Sequence, residues 1–304
     1  MKKTLGQALT EQMAAEQRYV VSVWRARLLL RRATRDTPPE SRRWTLAPNT
    51  HEETQVLLSR LARMGEFQAL KDVPYVYETR APYARKGMAR EDEILMEAQP
   101  FAALSHATAM AFHDLTDDFP QDIHLILPSN TRTTLLPPGI KPTEWDEQTT
   151  AVGHTPRSLF KKPIHWHRLI AGSSEVGTDE YRPHGYPVRV TTPERTLIDA
   201  LHHPEWCGGF SQALQAWVHA RDTLDLDRLV DTVEAFGVNI LRQRAGFIME
   251  ELNLHHPVLD EWALLAKRGG SSRLVGGAPF REQFSERWKL SINAPVGLLA
   301  EARS

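Results

Sequence analysis

Apolar positions in the first hundred residues recur in short helical patterns separated by polar punctuation. Thr4 and Gln7 have the spacing of a capping box, and Leu5, Leu9 and Met13 follow every four residues, which predicts a first helix with one apolar face. A second helix is predicted from Ser22, an N-cap residue, through VWRARLLLRRAT, with Val23, Ala26, Leu29, Leu30 and Ala33 on one side. Arg25, Arg27, Arg31, Arg32 and Arg35 cover most of the other side, with Trp24 and Leu28 among them. The connector RDTPPESRRWTLAPN holds three prolines and the further arginines Arg42 and Arg43. Thr50 and Glu53 then form a second capping box, Val56, Leu57, Leu61 and Met64 supply a buried face, and Gly65 stands where a helix stop belongs. FQALKDVPYVYETR reads as two short strands around Lys71–Asp72. Three helices followed by a hairpin is the order of a winged helix-turn-helix, in which one helix enters the major groove and the hairpin lies along the backbone. The same order serves winged modules that bind only proteins.

Further along, REDEILMEAQ and AALSHATAMAFHDL read as short helices, and HLILPS, IHWHRLIAG and YPVRVTT as strands. From Thr192 and Pro193, an N-cap and N1 pair, the pattern is helical to about Lys267. Its segments are PERTLIDALHH, GGFSQALQAWVHARD, LDRLVDTVEAFG, NILRQRAGFIMEELN and DEWALLAKR, and SRLVGG and RWKLSIN are strand-like pieces of the tail. The expected class is α+β: an N-terminal winged helix-turn-helix over residues 1–86, then residues 87–304 with a mixed α/β unit and a helical C-terminal domain.

Charge sharpens this picture. The net charge of −1 hides a division, because residues 1–90 hold 17 Lys+Arg against 9 Asp+Glu, while the rest holds 20 against 29. A balance of +8 in one part points to a nucleic-acid or membrane contact by that part. Five arginines and no acid from Ser22 to Arg35 would attract phosphates by charge and by bidentate geometry. The plainer alternative is a solvated face paired with acids elsewhere. Topology favours Thr50–Met64 as the base-reading helix and charge density favours Ser22–Arg35, so the choice stays open at this stage. No apolar run approaches the roughly 18 residues of a membrane span, and no apolar stretch follows Lys2 and Lys3 as in a secretory signal. One cysteine, Cys207, excludes an intramolecular disulfide and fits a reducing cytoplasm, the expected location.

Candidate chemistry is sparse. There is no GxSxG elbow, P-loop or GxGxxG. Thirteen histidines include His165 and His167 on one face of a strand and the adjacent pairs His202–His203 and His255–His256, without HExxH or another compact ligand set. Structural or solvated histidines, and no metal or other cofactor, are therefore expected. Arg195 and Asp199 have the spacing of an intrahelical ion pair, and Cys207 lacks a supporting third group for nucleophilic work. An enzyme is not expected.

The run YPVRVTTPERTLIDALHHPEWCGGFSQALQAW resembles the signature of AbiEi-type antitoxins of type IV toxin–antitoxin and phage-defence systems. Thr192, Pro193, Glu194, Arg195, Thr196, Leu197, Asp199, Pro204, Gly208 and Gly209 carry the match. Arg244, Gly246, Glu250 and Leu252 resemble the family's later R-x-G-x-x-x-E-x-L segment, and LSHATAMAFHDLTDDFP resembles its alanine-rich helix, turn and strand. The resemblance covers roughly residues 50–255; the N-terminal 49 residues are longer than the family's compact start. It implies a winged helix that represses its own operon and an antitoxin domain acting against a nucleotidyltransferase-type toxin. The expected partners are double-stranded DNA at its own promoter, inverted repeats read by a homodimer, and such a toxin, with no membrane. The alternative is an antitoxin that binds its toxin directly and keeps a vestigial DNA-binding module. Phosphate contacts are expected from Arg25, Arg27, Arg31, Arg32, Arg35, Arg42 and Arg43, base contacts from Gln55, Ser59, Arg60 or Arg63, and a wing contact from Lys71. About six neutralised phosphates would give a log K against log salt slope near −5.

Overall fold

The computed structural model describes residues 2–84, 89–128, 135–145, 151–168 and 177–303. Helix α1 (Leu5–Ala15) opens on the expected capping box, with Thr4 and Gln7 each accepting from the other's backbone N–H. Strand β1 (Val20–Ser22) runs into α2 (Val23–Asp36), which Ser22 caps by accepting from the Arg25 N–H at 3.2 Å. Three apolar-to-small residues leading into a helix show no alternation, so β1 carries no signal of its own in the sequence. Helix α3 (His51–Arg63) opens on the Thr50–Glu53 box; its acids Glu52 and Glu53 lie in the first turn and Arg60 and Arg63 in the last, complementing the helix dipole at both ends. Gly65, in the left-handed region at φ +79°, follows its end. Strands β2 (Phe67–Ala69) and β3 (Val76–Thr79) form the expected hairpin, and β1 pairs with the other edge of β3, giving an antiparallel sheet β1-β3-β2.

Leu9 and Met13 of α1, Val23, Ala26, Leu29 and Leu30 of α2, Leu57, Leu58 and Leu61 of α3, and Phe67 and Tyr77 of the hairpin make one core. On α3 the buried stripe is Thr54, Leu57, Leu58 and Leu61, an i, i+3, i+4, i+7 set. That stripe leaves Val56 and Met64 outside it, and both are exposed rather than buried as the sequence reading has them. Helix α2 is enclosed on its opposite side as well, where Trp24 and Leu28 pack against Ile140. Every residue from Val21 to Leu30 is buried.

The chain continues through α4 (Glu91–Ala98), β4 (Ala103–Leu104), α5 (His106–Phe112), β5 (Ile123–Leu127), β6 (Ser158–Leu159), β7 (Lys162–Arg168), β8 (Thr178–Tyr181) and β9 (Val188–Thr191). These strands order as β6-β7-β5-β4-β9-β8, with β6 and β7 antiparallel and Leu104 opposite Val190 in a parallel β4–β9 pair. The last residues of the predicted strand IHWHRLIAG, 169–172, lie outside the described residues. Helices α6 (Pro193–His202), α7 (Phe210–Ala220), α8 (Leu226–Phe236), α9 (Asn239–Glu251) and α10 (Val258–Leu265) follow, then β10 (Phe284–Ser285), β11 (Leu290–Ser291) and α11 (Leu298–Arg303). RWKLSIN supplies β11, whereas SRLVGG contributes only an isolated bridge, Arg273 to Ser291.

The class is α+β. By packing, the chain divides into one compact unit of Met1–Ala103, Thr131–Ile164 and Glu180–Arg189, and another of Leu104–Asn130, His165–Asp179 and Val190–Ser304. This differs from a single cut after residue 86, because α4 and the segment holding Ile140 supply partners for α2 that no local pattern announces.

The second unit shows what the TPERTLID, Gly-Gly and RxGxxxE motif residues do locally. Thr192 caps α6 by accepting from the Arg195 N–H, and Arg195 pairs with Asp199 at 3.0 Å, both buried, while lying over the Phe236 ring. Gly208 and Gly209 take φ of +77° and +95° in the turn into α7. On α9, Arg244 donates to the carbonyls of Leu201 and Arg273, each at 3.0 Å. Gly246 admits Trp288, since a Cβ there would lie 2.1 Å from the indole, and Glu250 accepts from the same indole N–H at 2.6 Å. Thr192, Arg195, Asp199 and Arg244 are buried in the unit, whereas Gly208 is exposed and Gly209 and Glu250 are half-buried.

Candidate nucleic-acid interface

Opposite its core-facing stripe, α3 presents Arg60 and Arg63, both exposed, with Gln55 and Ser59 half-buried beside them. The Ser59 hydroxyl lies 3.4 Å from that of Tyr77, which ties this face of the helix to β3. Exposed Val56 and Met64 add apolar surface to the same helix. Lys71 is exposed in the β2–β3 connection, and Arg80 is exposed just past β3, its N–H donating to Glu66 O at 2.8 Å. The acids Glu52 and Glu53 occupy the other end of α3, so its C-terminal half is the positive part.

The arginines of α2 are placed differently, and the expectation of an exposed phosphate-binding face on this helix is corrected. Arg25 is 1% exposed and Arg27 5%. Arg25 Nε donates to Glu97 Oε1 at 2.5 Å and its Nη2 to the Pro138 carbonyl at 3.0 Å. Glu97 also accepts from Arg18 at 3.1 Å and from the Ser22 N–H and hydroxyl at 3.0 and 2.6 Å, so every charge in the cluster has a short-range partner. Burial, and the neighbouring Arg18 charge after it, lower Arg25 to about 10, which leaves it protonated at neutral pH. Arg32 binds Glu16 at 2.5 Å and Glu144 at 3.0 Å. A buried guanidinium cannot reach a DNA phosphate without abandoning its carboxylate, a loss that is costly in a dry interior.

The remaining predicted contacts are mixed. Arg31 is half-buried; Arg35 is exposed and lies 3.2 Å from Asp36. Arg42 is half-buried, donates to the Thr34 carbonyl at 3.1 Å and lies over the Trp44 ring, while Arg43 is exposed. The structure thus keeps Arg60, Arg63, Lys71, Arg35 and Arg43 at the surface and takes Arg25 and Arg27 out of it. The signal that could have found this is the acidic cluster EDEILME, whose Glu93 and Glu97 are both 1% exposed on α4 and face the β1–α2 segment.

Other chemistry is limited. Cys207 is buried, which pushes its thiol up and away from a reactive thiolate. In the second unit the imidazoles of His106, His124 and His167 come together, and burial, then the neighbouring rings, holds His124 and His167 at about 4. They are neutral at physiological pH.

No family model matches the chain, and no curated protein matches it. Among solved structures, it is similar to the crystal structure of the RV2827C protein from Mycobacterium tuberculosis. That likeness has a TM-score of 0.53 and 13% identity, and covers 99% of this chain and 96% of that chain. It is a likeness of fold. It supports the α+β architecture and leaves activity to the residues. Among the described residues no helix is long and apolar enough to cross a membrane.

Proposed function

We propose that the chain is a sequence-specific DNA-binding transcriptional repressor, an autoregulator of AbiEi type acting on a phage-defence or type IV toxin–antitoxin operon. What carries the reading is the outward face of α3 next to the β2–β3 hairpin, with Arg60 and Arg63 free of the core and Lys71 at the tip. The order α1-β1-α2-α3-β2-β3 with the sheet β1-β3-β2 supports reading this segment as a winged helix-turn-helix. In this reading α2 is the supporting helix and α3 the reading helix.

Arg60 and Arg63 make bidentate contacts to guanine edges or phosphates, Gln55 and Ser59 hydrogen-bond base edges, and Val56 or Met64 meets a thymine methyl. Lys71, Arg35 and Arg43 neutralise backbone charge. With about five phosphates neutralised, log K falls against log salt with a slope near −4.5. Two copies bind an inverted repeat, since a two-fold protein matches a two-fold site.

Hydroxyl-radical footprinting of the region upstream of its own gene tests this. The expected result is protection of two half-sites about one or two helical turns apart. Uniform weak protection, or none, overturns it. Retention of the neighbouring gene product after nuclease treatment, without promoter protection, would replace the reading with a direct toxin-binding antitoxin.

A further inference from the structure

In a strand, residues i and i+2 point to the same face. Asp122 immediately precedes β5, whose second residue is His124, His165 and His167 lie on β7, and the two strands are neighbours in the sheet. His165 Nε2 lies 2.9 Å from Asp122 Oδ2, and Asp122, His124 and His165 each offer a donor atom within 4.8 Å of the others. His124 Nδ1 lies 3.0 Å from His167 Nε2. Their ring planes differ by 4° with centroids 5.3 Å apart, which is the geometry of an in-plane, edge-to-edge imidazole hydrogen bond. His167 in turn stacks on Trp206 at 4.0 Å.

We propose that Asp122, His124 and His165 hold one divalent transition-metal ion of the zinc type, with His167 fixing the orientation of His124 from behind. Donors bonded at about 2.0–2.1 Å in a tetrahedral site lie about 3.4 Å apart. The 2.9 Å between His165 and Asp122 and the 4.8 Å limit on the whole set put the donors within reach of such a site, and Asp122 and His165, whose side chains are each 45% exposed, have room to adjust. The ion takes the place of the proton shared by His165 and Asp122. A ligating histidine whose second nitrogen is hydrogen-bonded to another side chain is the usual support for such a ligand. Two imidazole nitrogens and one carboxylate suit zinc, cobalt or nickel, whereas calcium and magnesium prefer oxygen alone. Asp122 and His124 also line a cavity of about 340 Å³ shared with Trp206 and Gln212, which leaves space for water on the ion. Three protein ligands and a water is the open arrangement.

The test uses the full-length, tag-free chain, stripped with chelator and titrated calorimetrically with zinc chloride and, separately, magnesium chloride. Cobalt chloride is added in parallel and read by visible absorption. The expected result is one zinc per chain, no magnesium heat, and a cobalt band of a low-coordinate nitrogen–oxygen site. His165→Ala and Asp122→Ala each weaken zinc binding by at least about tenfold and remove the cobalt band, while His255→Ala/His256→Ala changes neither. Circular dichroism confirms folding, and whichever of the two ligand variants keeps the wild-type spectrum decides the matter. No zinc uptake by the wild type, or the same isotherm and cobalt spectrum in a folded ligand variant, overturns the proposal.

Discussion

Helices α2 and α3 lie in the same unit, share one core, and both carry arginines, yet they spend them oppositely. Helix α2 has five arginines and puts Arg25 and Arg27 inside, with Arg32 held by Glu16 and Glu144. Helix α3 has two, Arg60 and Arg63, and both are exposed. The density of charge along a sequence is therefore no guide to the charge on a surface. What decides is whether acids arrive from elsewhere: Glu97, 72 residues beyond Arg25, is completely buried and accepts from it. The +8 balance of residues 1–90 leaves out that acidic helix, which begins at Glu91.

Breaking the comparison should give its largest effect on stability. Arg25→Ala removes one of the two guanidinium partners of the buried Glu97, leaving Arg18 and Ser22, and is expected to cost about 3 kcal/mol in urea denaturation, against about 0.5 kcal/mol or less for Arg60→Ala or Arg63→Ala. Similar losses at all three positions would erase the distinction. The next effect is on DNA: Arg60→Ala/Arg63→Ala should weaken promoter binding by roughly 1–3 kcal/mol per lost base contact, read by band shift, with the urea midpoint unchanged.

A smaller effect concerns the acids that face the β1–α2 segment. Burial raises Glu93 to about 7, against the N–H groups of Val20 and Tyr19 and the Arg18 charge that favour its ionised form. Its folded value lies above the unfolded one, so its contribution is present below about pH 4.5 and is lost as pH rises through 7. Glu16 behaves oppositely: burial pushes it up, but Arg18, Arg25 and Arg32 together outweigh this and hold it at about 2. Its contribution is present above pH 4.5 and is lost as pH falls toward 2. Glu93→Gln should therefore gain on the wild type between pH 4.5 and 8, by on the order of 1–3 kcal/mol in denaturation at the two pH values. A pH-independent difference would remove Glu93 from the account. Smallest of all, Lys71→Ala should lower the salt slope of DNA binding by about one unit with little change in preference between sequences.

Helix starts were the most legible feature, because a cap is a local event: Thr4, Ser22, Thr50 and Thr192 each accept the backbone bond their spacing predicts. Short strands were not legible: β1 owes its existence to β3, far along the chain, while β6 and β8 are edge strands of two and four residues, too short to carry a period of their own. Burial of Arg25 depended on Glu97 and Pro138, and no window around residue 25 contains either. The histidines show the same limit: D-x-H at 122–124 and H-x-H at 165–167 are ordinary strand alternations until β5 and β7 become neighbours. On α3, taking Val56 and Met64 as core misjudged the stripe by one position, and Leu58 occupies the place assigned to them.

The central claim is that α3, and not the arginine-rich α2, reads DNA. Fluorescence anisotropy of the purified chain on its own upstream promoter fragment and on a scrambled fragment, at two salt concentrations, tests it most directly. The wild type should prefer the promoter by about a hundredfold or more and weaken with salt. Arg60→Ala/Arg63→Ala should lose that preference while remaining folded. Equal weak binding of the wild type to both fragments, or an unaltered preference in the folded double variant, would contradict the account.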